Sequence, residues 1–356
     1  MSADPAIAAP DGRRPRVLIV DDSAVARAVI ARAVAESGVF DLAGAVPHVA
    51  AARALLARER VDAILLDIEM PGTDGLTALP DLVAASNGAR VIIVSSLCAD
   101  GAAATIQALA LGAADTLVKP RPGVTHARFT QMLVEKLSRL TALDDLPAQP
   151  AAPRATRAPV GEARRYDLIA IGASTGGIHA LGQLLRAVPA TVTTPILITQ
   201  HLPASFMPFF AAQVAVLAQR PCEVAIDRLR LRPSRVVIAP GDAHVRPVAL
   251  ADGSIAVRLS DEPSPSGCLP SVDVMFEAIA AACGPRTLAV VLSGMGRDGV
   301  IGAQALAGAG ADLVVQDRAS SVIWGMPGAV ATAGLAHAVL PPDEIGQLIA
   351  SRRSPR

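Results

Sequence analysis

Short runs of consecutive apolar residues recur along this chain, each followed by an alanine-rich stretch with helical periodicity. Before residue 140 they are Val17-Leu-Ile-Val20, Ala63-Ile-Leu-Leu66 and Val91-Ile-Ile-Val94. After residue 165 they are Leu168-Ile-Ala-Ile171, Pro195-Ile-Leu-Ile-Thr199, Val236-Val-Ile238 and Leu288-Ala-Val-Val-Leu292. Runs this short, apolar on both faces, are the pattern of strands buried in a parallel sheet. Between them, residues 143–165 are rich in Pro, Ala and Arg, and the prolines break any periodicity, as in a solvated, semi-extended linker. The expected organisation is therefore two α/β domains, at 15–138 and 166–354, the second a doubly wound and mostly parallel sheet. In such sheets functional groups stand just past the carboxyl ends of the strands.

The strand ends of the first domain carry an unusual set of polar residues. Val20 is followed by Asp21-Asp22-Ser23, Leu66 by Asp67, Val94 by Ser95-Ser96 and Val118 by Lys119-Pro120. A single aspartate at a strand end is more often a turn former or helix cap. Three on one rim repel one another, and a divalent cation such as Mg²⁺ is a usual remedy. With that charge neutralised, Asp67 could attack a phosphoryl group while the Ser95 hydroxyl and Lys119 ammonium contact its oxygens. Lys119 is one of only two lysines in a chain that otherwise uses arginine.

In the second domain, the strand at Leu168 runs into Gly172-Ala-Ser174-Thr-Gly-Gly177 and a helical segment, Ile178 to Val188. The turn places one serine hydroxyl at the end of the sheet, beside the free N–H groups of a helix start. A serine nucleophile, a phosphate-binding turn and a plain tight turn all fit that segment. A serine needs a base, normally a histidine oriented by a carboxylate. His201 follows the strand at Pro195 directly, with His244 its competitor, while His179 lies within the helix and His337 among small apolar residues. For the carboxylate, Asp298 follows the strand at Leu288, with Asp242 and Asp273 as alternatives. His244 and Met295 are candidate substrate-side residues.

Composition narrows the classes. Lys+Arg and Asp+Glu are both 32, and from Tyr166 onward there are 14 arginines, no lysine and 14 acidic residues, so neither half has the basic excess of a nucleic-acid footprint. No nucleic-acid partner is expected. Cys98, Cys222, Cys268 and Cys283 form no C-x-x-C pair, which fits a reducing compartment. No signal-peptide core and no apolar run of membrane-spanning length is present, so a cytoplasmic protein without direct membrane insertion is expected.

Residues 15 to 138, with Asp67-Ile-Glu-Met-Pro71-Gly-Thr-Asp-Gly75 and Val118-Lys119-Pro120, resemble the receiver domain of two-component response regulators. The resemblance implies a (βα)₅ fold, Asp67 as phospho-acceptor, and Mg²⁺ held by Asp21, Asp22, Asp67 and the backbone carbonyl of Glu69. It makes Ser95 and Lys119 the switch residues and a chemotaxis-type histidine kinase the phosphodonor. Thr116 stands where receivers usually place an aromatic ring.

The second domain resembles the catalytic domain of the chemotaxis protein-glutamate methylesterases. The matching motifs include Ile171-Gly-Ala-Ser174-Thr-Gly-Gly177, Thr199-Gln-His201-Leu-Pro203, Ala239-Pro-Gly-Asp-Ala-His244, Pro270-Ser-Val-Asp-Val-Met-Phe276, Ser293-Gly-Met-Gly-Arg-Asp298-Gly299 and Trp324-Gly-Met-Pro327. This implies Ser174 as nucleophile, His201 as base, Asp298 as orienting carboxylate and no cofactor for the ester chemistry, with the Thr175 N–H a plausible oxyanion donor. The implied activity is hydrolysis of glutamate methyl esters on methylated chemoreceptors, with deamidation of receptor glutamines beside it. Cys268-Leu269 replace the family's usual His-Arg pair. Two other readings are a non-catalytic receiver protein whose second domain only binds a partner, and a nucleotide-binding regulator that uses the Gly172–Gly177 turn.

Overall fold

The computed structural model of the chain describes residues 13–70, 75–95, 99–119, 125–141 and 165–351. It divides into two compact units, Met1–Gln149 and Pro150–Arg356. The expected linker falls almost wholly on 142–164, outside the described residues.

In the first unit five strands alternate with five helices: β1 Arg16–Val20, α1 Ala24–Ser37, β2 Asp41–Val46, α2 Val49–Leu56, β3 Ala63–Asp67, α3 Gly75–Ala85, β4 Arg90–Ser95, α4 Ala99–Ala110, β5 Asp115–Val118 and α5 His126–Thr141. All pairings are parallel, in the order β2-β1-β3-β4-β5. Burial explains the runs read from the sequence: β3 is buried throughout, and β1 and β4 are buried except at their first residue. Helix α5 covers the sheet with Phe129, Leu133, Leu137 and Leu140, a stripe at helical spacing. Strand β2, DLAGAV, escapes the sequence pattern because it is an edge strand with no fully buried residue.

The second unit holds β6 Leu168–Ala173, α6 Gly177–Ala187, β7 Ile196–Gln200, α7 Met207–Ala218, β8 Cys222–Val224, β9 Val236–Ile238, the hairpin β10 His244–Ala249 and β11 Ile255–Ser260, then α8 Val272–Ala282, β12 Thr287–Val291, α9 Val300–Gly308, β13 Asp312–Gln316, α10 Met326–Thr332, β14 Ala338–Leu340 and α11 Pro342–Ser351. Its main sheet is parallel, in the order β14-β13-β12-β6-β7-β9-β8. The chain starts at central β6, works outward to β8, then returns to the other side of β6 with β12. Strands β6, β7 and β12 are fully buried. Their carboxyl ends meet at this reversal, where α/β sheets bind ligands.

Candidate active sites

On the first sheet, β1 and β3 are neighbours, so the residues past β1 and at the end of β3 come together. Metal-ligating oxygens of Asp21, Asp22 and Asp67 lie within 4.8 Å of one another. Asp21 and Asp67 are buried, 1% exposed each, and Lys119 Nζ sits 2.5 Å from Asp67 Oδ2 and 3.6 Å from Asp21 Oδ2. Asp21 Oδ2 is buried with no hydrogen-bond partner. Burial pushes the Asp67 carboxyl above its ordinary range, against the pull of Lys119 and of the Glu69 N–H that donates to it at 2.9 Å. Burial also works against the Lys119 charge, yet Asp67 and Asp21 hold that ammonium above its ordinary range. Gly75 opens α3 so close to this strand end that a Cβ there would lie 2.5 Å from the Asp67 carbonyl oxygen.

Ser95 ends β4, buried, with its hydroxyl oxygen 2.9 Å from that of Thr105 on α4. Thr105 is itself fully buried. Thr116 lies half-buried on β5.

On the second sheet Ala173 and Gln200 pair in register at the ends of β6 and β7, and Ser174 and His201 are the next residue on each strand. The register brings their backbones to neighbouring strand ends, where the His201 N–H donates to the Ala173 carbonyl at 3.1 Å, and no hydrogen bond links the two side chains. The Ser174 N–H donates to the Ser293 carbonyl at 3.0 Å, tying the turn to the residues past β12. Gly176 takes φ +76°, and a Cβ there would lie 2.4 Å from Val322, so both dihedral and packing demand glycine. Among the described residues, the turn's hydrogen bonds use the N–H groups of Ser174 and Gly177 and leave that of Thr175 open.

His201 Nε2 and Asp298 Oδ2 are 2.8 Å apart. Asp298 is 3% exposed and accepts three further bonds: from Ser271 Oγ at 2.7 Å, Val272 N at 2.7 Å and Asp273 N at 3.1 Å. The last two N–H groups open α8, so the carboxylate also sits on the positive end of that helix. Burial would raise its pKa, but His201, the Val272 N–H and Ser271 together hold it well below the usual carboxylate range. Burial opposes charge on His201 too, yet Asp298 and Cys268 beside it lift the imidazole to about 9.

The CheB methylesterase family model matches residues 169–349, and the response regulator receiver domain model matches residues 17–129. A protein-glutamate methylesterase/protein-glutamine glutaminase of Caulobacter vibrioides is 44% identical over 342 residues, covering 95% of this chain and 98% of the relative. The chain belongs to the CheB methylesterase family. Another so-named relative, from Paramagnetospirillum magneticum, is 40% identical over 94% of this chain and 95% of its own length. The crystal structure of the Thermotoga maritima CheB methylesterase catalytic domain matches with a TM-score of 0.50 at 30% identity, covering 52% of this chain and 97% of that one. The expected α/β receiver and catalytic folds are therefore present, and a partner-binding second domain without catalysis is disfavoured.

Not every expected residue of this CheB-family chain lies where the sequence suggested. His244 is not in a turn facing substrate: it opens β10, is 0% exposed, and spends one ring nitrogen on the Ser271 N–H at 2.9 Å and the other at 2.9 Å from the Glu262 carbonyl. It supports the shelf beneath Asp298. Asp242 is exposed, and Asp273 is turned to the Gly302 N–H at 2.8 Å, so neither is bonded to His201. Burial, together with the charge of Asp298, raises Asp273 to about 6. Met295 lies half-buried in the turn after β12. His179 meets Gln183 on α6, and His337 accepts from the Leu313 N–H.

Three contributors were missed. Ser271 was readable only as a helix cap, Gln200 donates to the Ser174 carbonyl at 2.9 Å, and the Ser293 hydroxyl donates to the Thr175 carbonyl at 2.8 Å. Each acts through a backbone group or another side chain, a role no motif spacing signals. Cys268, noticed only as a departure, has its sulfur within 4.8 Å of ligand atoms of both His201 and Asp298.

Proposed function

We propose that this chain is a phosphorylation-activated protein-glutamate methylesterase acting on methylated chemoreceptors, with glutamine deamidation at the same site. The observation that carries this reading is the His201–Asp298 pair standing beside Ser174 on adjacent strand ends in a chain of this family. Ser174 Oγ attacks the ester carbonyl and His201 takes its proton. With Nε2 committed to Asp298, Nδ1 is the ring nitrogen left to do so. The open Thr175 N–H faces the charge developing on the carbonyl oxygen. Collapse of the tetrahedral species expels methanol, protonated by His201, and leaves an acyl group on Ser174. Water, deprotonated by His201, then releases the glutamate. A free-enzyme hydrogen bond between nucleophile and base often forms or tightens only with substrate bound, in keeping with its absence between Ser174 and His201 here.

At the receiver rim, Asp21, Asp22, Asp67 and the Glu69 carbonyl would hold Mg²⁺. The buried Asp21 Oδ2, which accepts no hydrogen bond and has Lys119 Nζ only at 3.6 Å, and the oxygens within 4.8 Å of one another suit a hard cation that takes oxygen ligands. Bound there, the ion supplies charge neutralisation for phosphoryl transfer. Asp67 accepts the phosphoryl group from a histidine kinase, and Lys119 and Ser95 turn to its oxygens. Because Ser95 lies against Thr105, that movement would reach α4 directly, a route that does not need an aromatic ring at position 116. The test is methanol release from methylated receptor by the purified full chain, with and without Mg²⁺ and a small phosphodonor. Donor-stimulated release that requires Asp67 and Ser174 supports the reading. Absence of release under every condition would refute it.

A further inference from the structure

Outside its use in ester chemistry, the His201 cluster has a composition that the proposed reaction does not require. One thiol, one imidazole and one carboxylate present ligand atoms all within 4.8 Å of one another. We propose that His201, Cys268 and Asp298 form a binding site for a thiophilic divalent cation of the Zn²⁺ class, and that occupancy shuts the esterase off.

The donor set decides the class. Sulfur and imidazole nitrogen favour zinc over the hard cations that the all-oxygen receiver rim suits. Three protein ligands with a fourth position open to water is a common zinc arrangement. In a tetrahedral site with ordinary Zn–S, Zn–N and Zn–O lengths, ligand atoms stand about 3.3–3.7 Å apart, so the widest pair here need close by only about 1 Å. Charge also balances: thiolate and carboxylate together offset the ion's two positive charges. As the ion binds, the Cys268 S–H bond breaks and the His201 imidazolium gives up the proton on its ligating nitrogen, so two protons leave to solvent and His201 binds as the neutral imidazole.

Cys268 can serve because its backbone is held. Ser264 Oγ donates to its carbonyl at 2.8 Å and its N–H donates to Ser266 Oγ at 3.4 Å. It is half-buried in this loop, and the His201 side chain is 18% exposed, so an ion can reach the site from solvent. An ion on His201 removes the lone pair that would accept the Ser174 proton. The binding claim stands on the cluster alone, while the inhibition claim rests on the reading of His201 as base.

The test uses the full chain, reduced and stripped of metal, with saturating Mg²⁺ so that the receiver carboxylates do not compete. Co²⁺ serves as the spectroscopic probe. The expected result is a thiolate-to-cobalt charge-transfer band in the near ultraviolet that Zn²⁺ displaces and that Cys268→Ser lacks. Cys268 is not a core residue, so this variant tests the ligand and not the fold. Zn²⁺ should suppress methanol release by the native chain, and Cys268→Ser, compared with its own zinc-free rate, should need at least about tenfold more. No band in the native chain, or an equal band in Cys268→Ser, overturns the site. A Cys268-dependent band without inhibition upholds the site and removes His201 as the base.

Discussion

At the receiver rim three carboxylates meet one ammonium, and the buried Asp21 Oδ2 has no hydrogen-bond partner. At the rim of the second sheet a single carboxylate, Asp298, accepts four hydrogen bonds. The same parallel-sheet geometry thus carries one centre whose carboxylate is left short of hydrogen-bond partners and one whose carboxylate has a complete set. A buried charge short of partners is costly, so the first rim gains from a bound cation and suits a centre that responds to one. The second is preorganised, as catalysis of a charge-developing reaction requires.

If the second rim is the complete one, breaking it should cost most. Ser174→Ala is expected to lower kcat by about four orders of magnitude or more, read by methanol release from methylated receptor, with thermal melting retained. Asp298→Asn should follow at up to about ten-thousandfold, since it removes the charge that orients His201 and stabilises its protonated form. Near-native turnover in either variant would break the comparison.

The first rim should behave as an adjustable centre. Asp67→Ala should abolish the response to Mg²⁺ and phosphodonor, a loss of about 5- to 150-fold in stimulated rate if coupling between the units is of ordinary size. An Asp67→Ala protein still stimulated by the donor would show that the receiver centre lies elsewhere.

Two smaller effects sharpen the contrast. Ser271→Ala removes one charged hydrogen bond from Asp298 and should cost about tenfold in kcat with KM little changed, as expected of a positioning residue; a change in KM alone would reassign Ser271 to substrate binding. The pH profile of kcat/KM should climb through neutrality toward about 9, because the base must be neutral and its raised pKa in the free enzyme keeps it protonated below that. Cys268→Ser removes one of the causes of that rise, so its profile should move to lower pH. An unmoved profile would show that Cys268 does not act on His201.

Legibility in the sequence followed burial. The three-to-five-residue apolar runs announced β1, β3, β4, β6, β7, β9 and β12 because each is buried on both faces, whereas the exposed edge strand β2 carries no such signal. The polar residues at those strand ends or in the turns that follow them, Asp21, Asp67, Ser174, His201 and Asp298, could be named because a parallel sheet brings its carboxyl ends together. His244 was misplaced because a proline-glycine turn precedes it, and only the β10–β11 pairing reveals that its ring is enclosed. Ser271 and Cys268 approach Asp298 and His201 from a segment 27 to 30 residues before Asp298 and over 60 after His201, a contact that depends on how α8 packs against α9, β10 and β6 and leaves no periodicity.

In the chemistry proposed at the second rim, Ser174 is the nucleophile and His201, held by Asp298, its base. A fluorophosphonate that reacts covalently with activated serines tests it most directly, by locating the adduct through peptide mass analysis of the full chain. The prediction is one adduct per chain, on Ser174, matching the loss of methanol release and forming far more slowly in His201→Ala. Full inactivation with Ser174 unmodified, or labelling at an unchanged rate in His201→Ala, would contradict it.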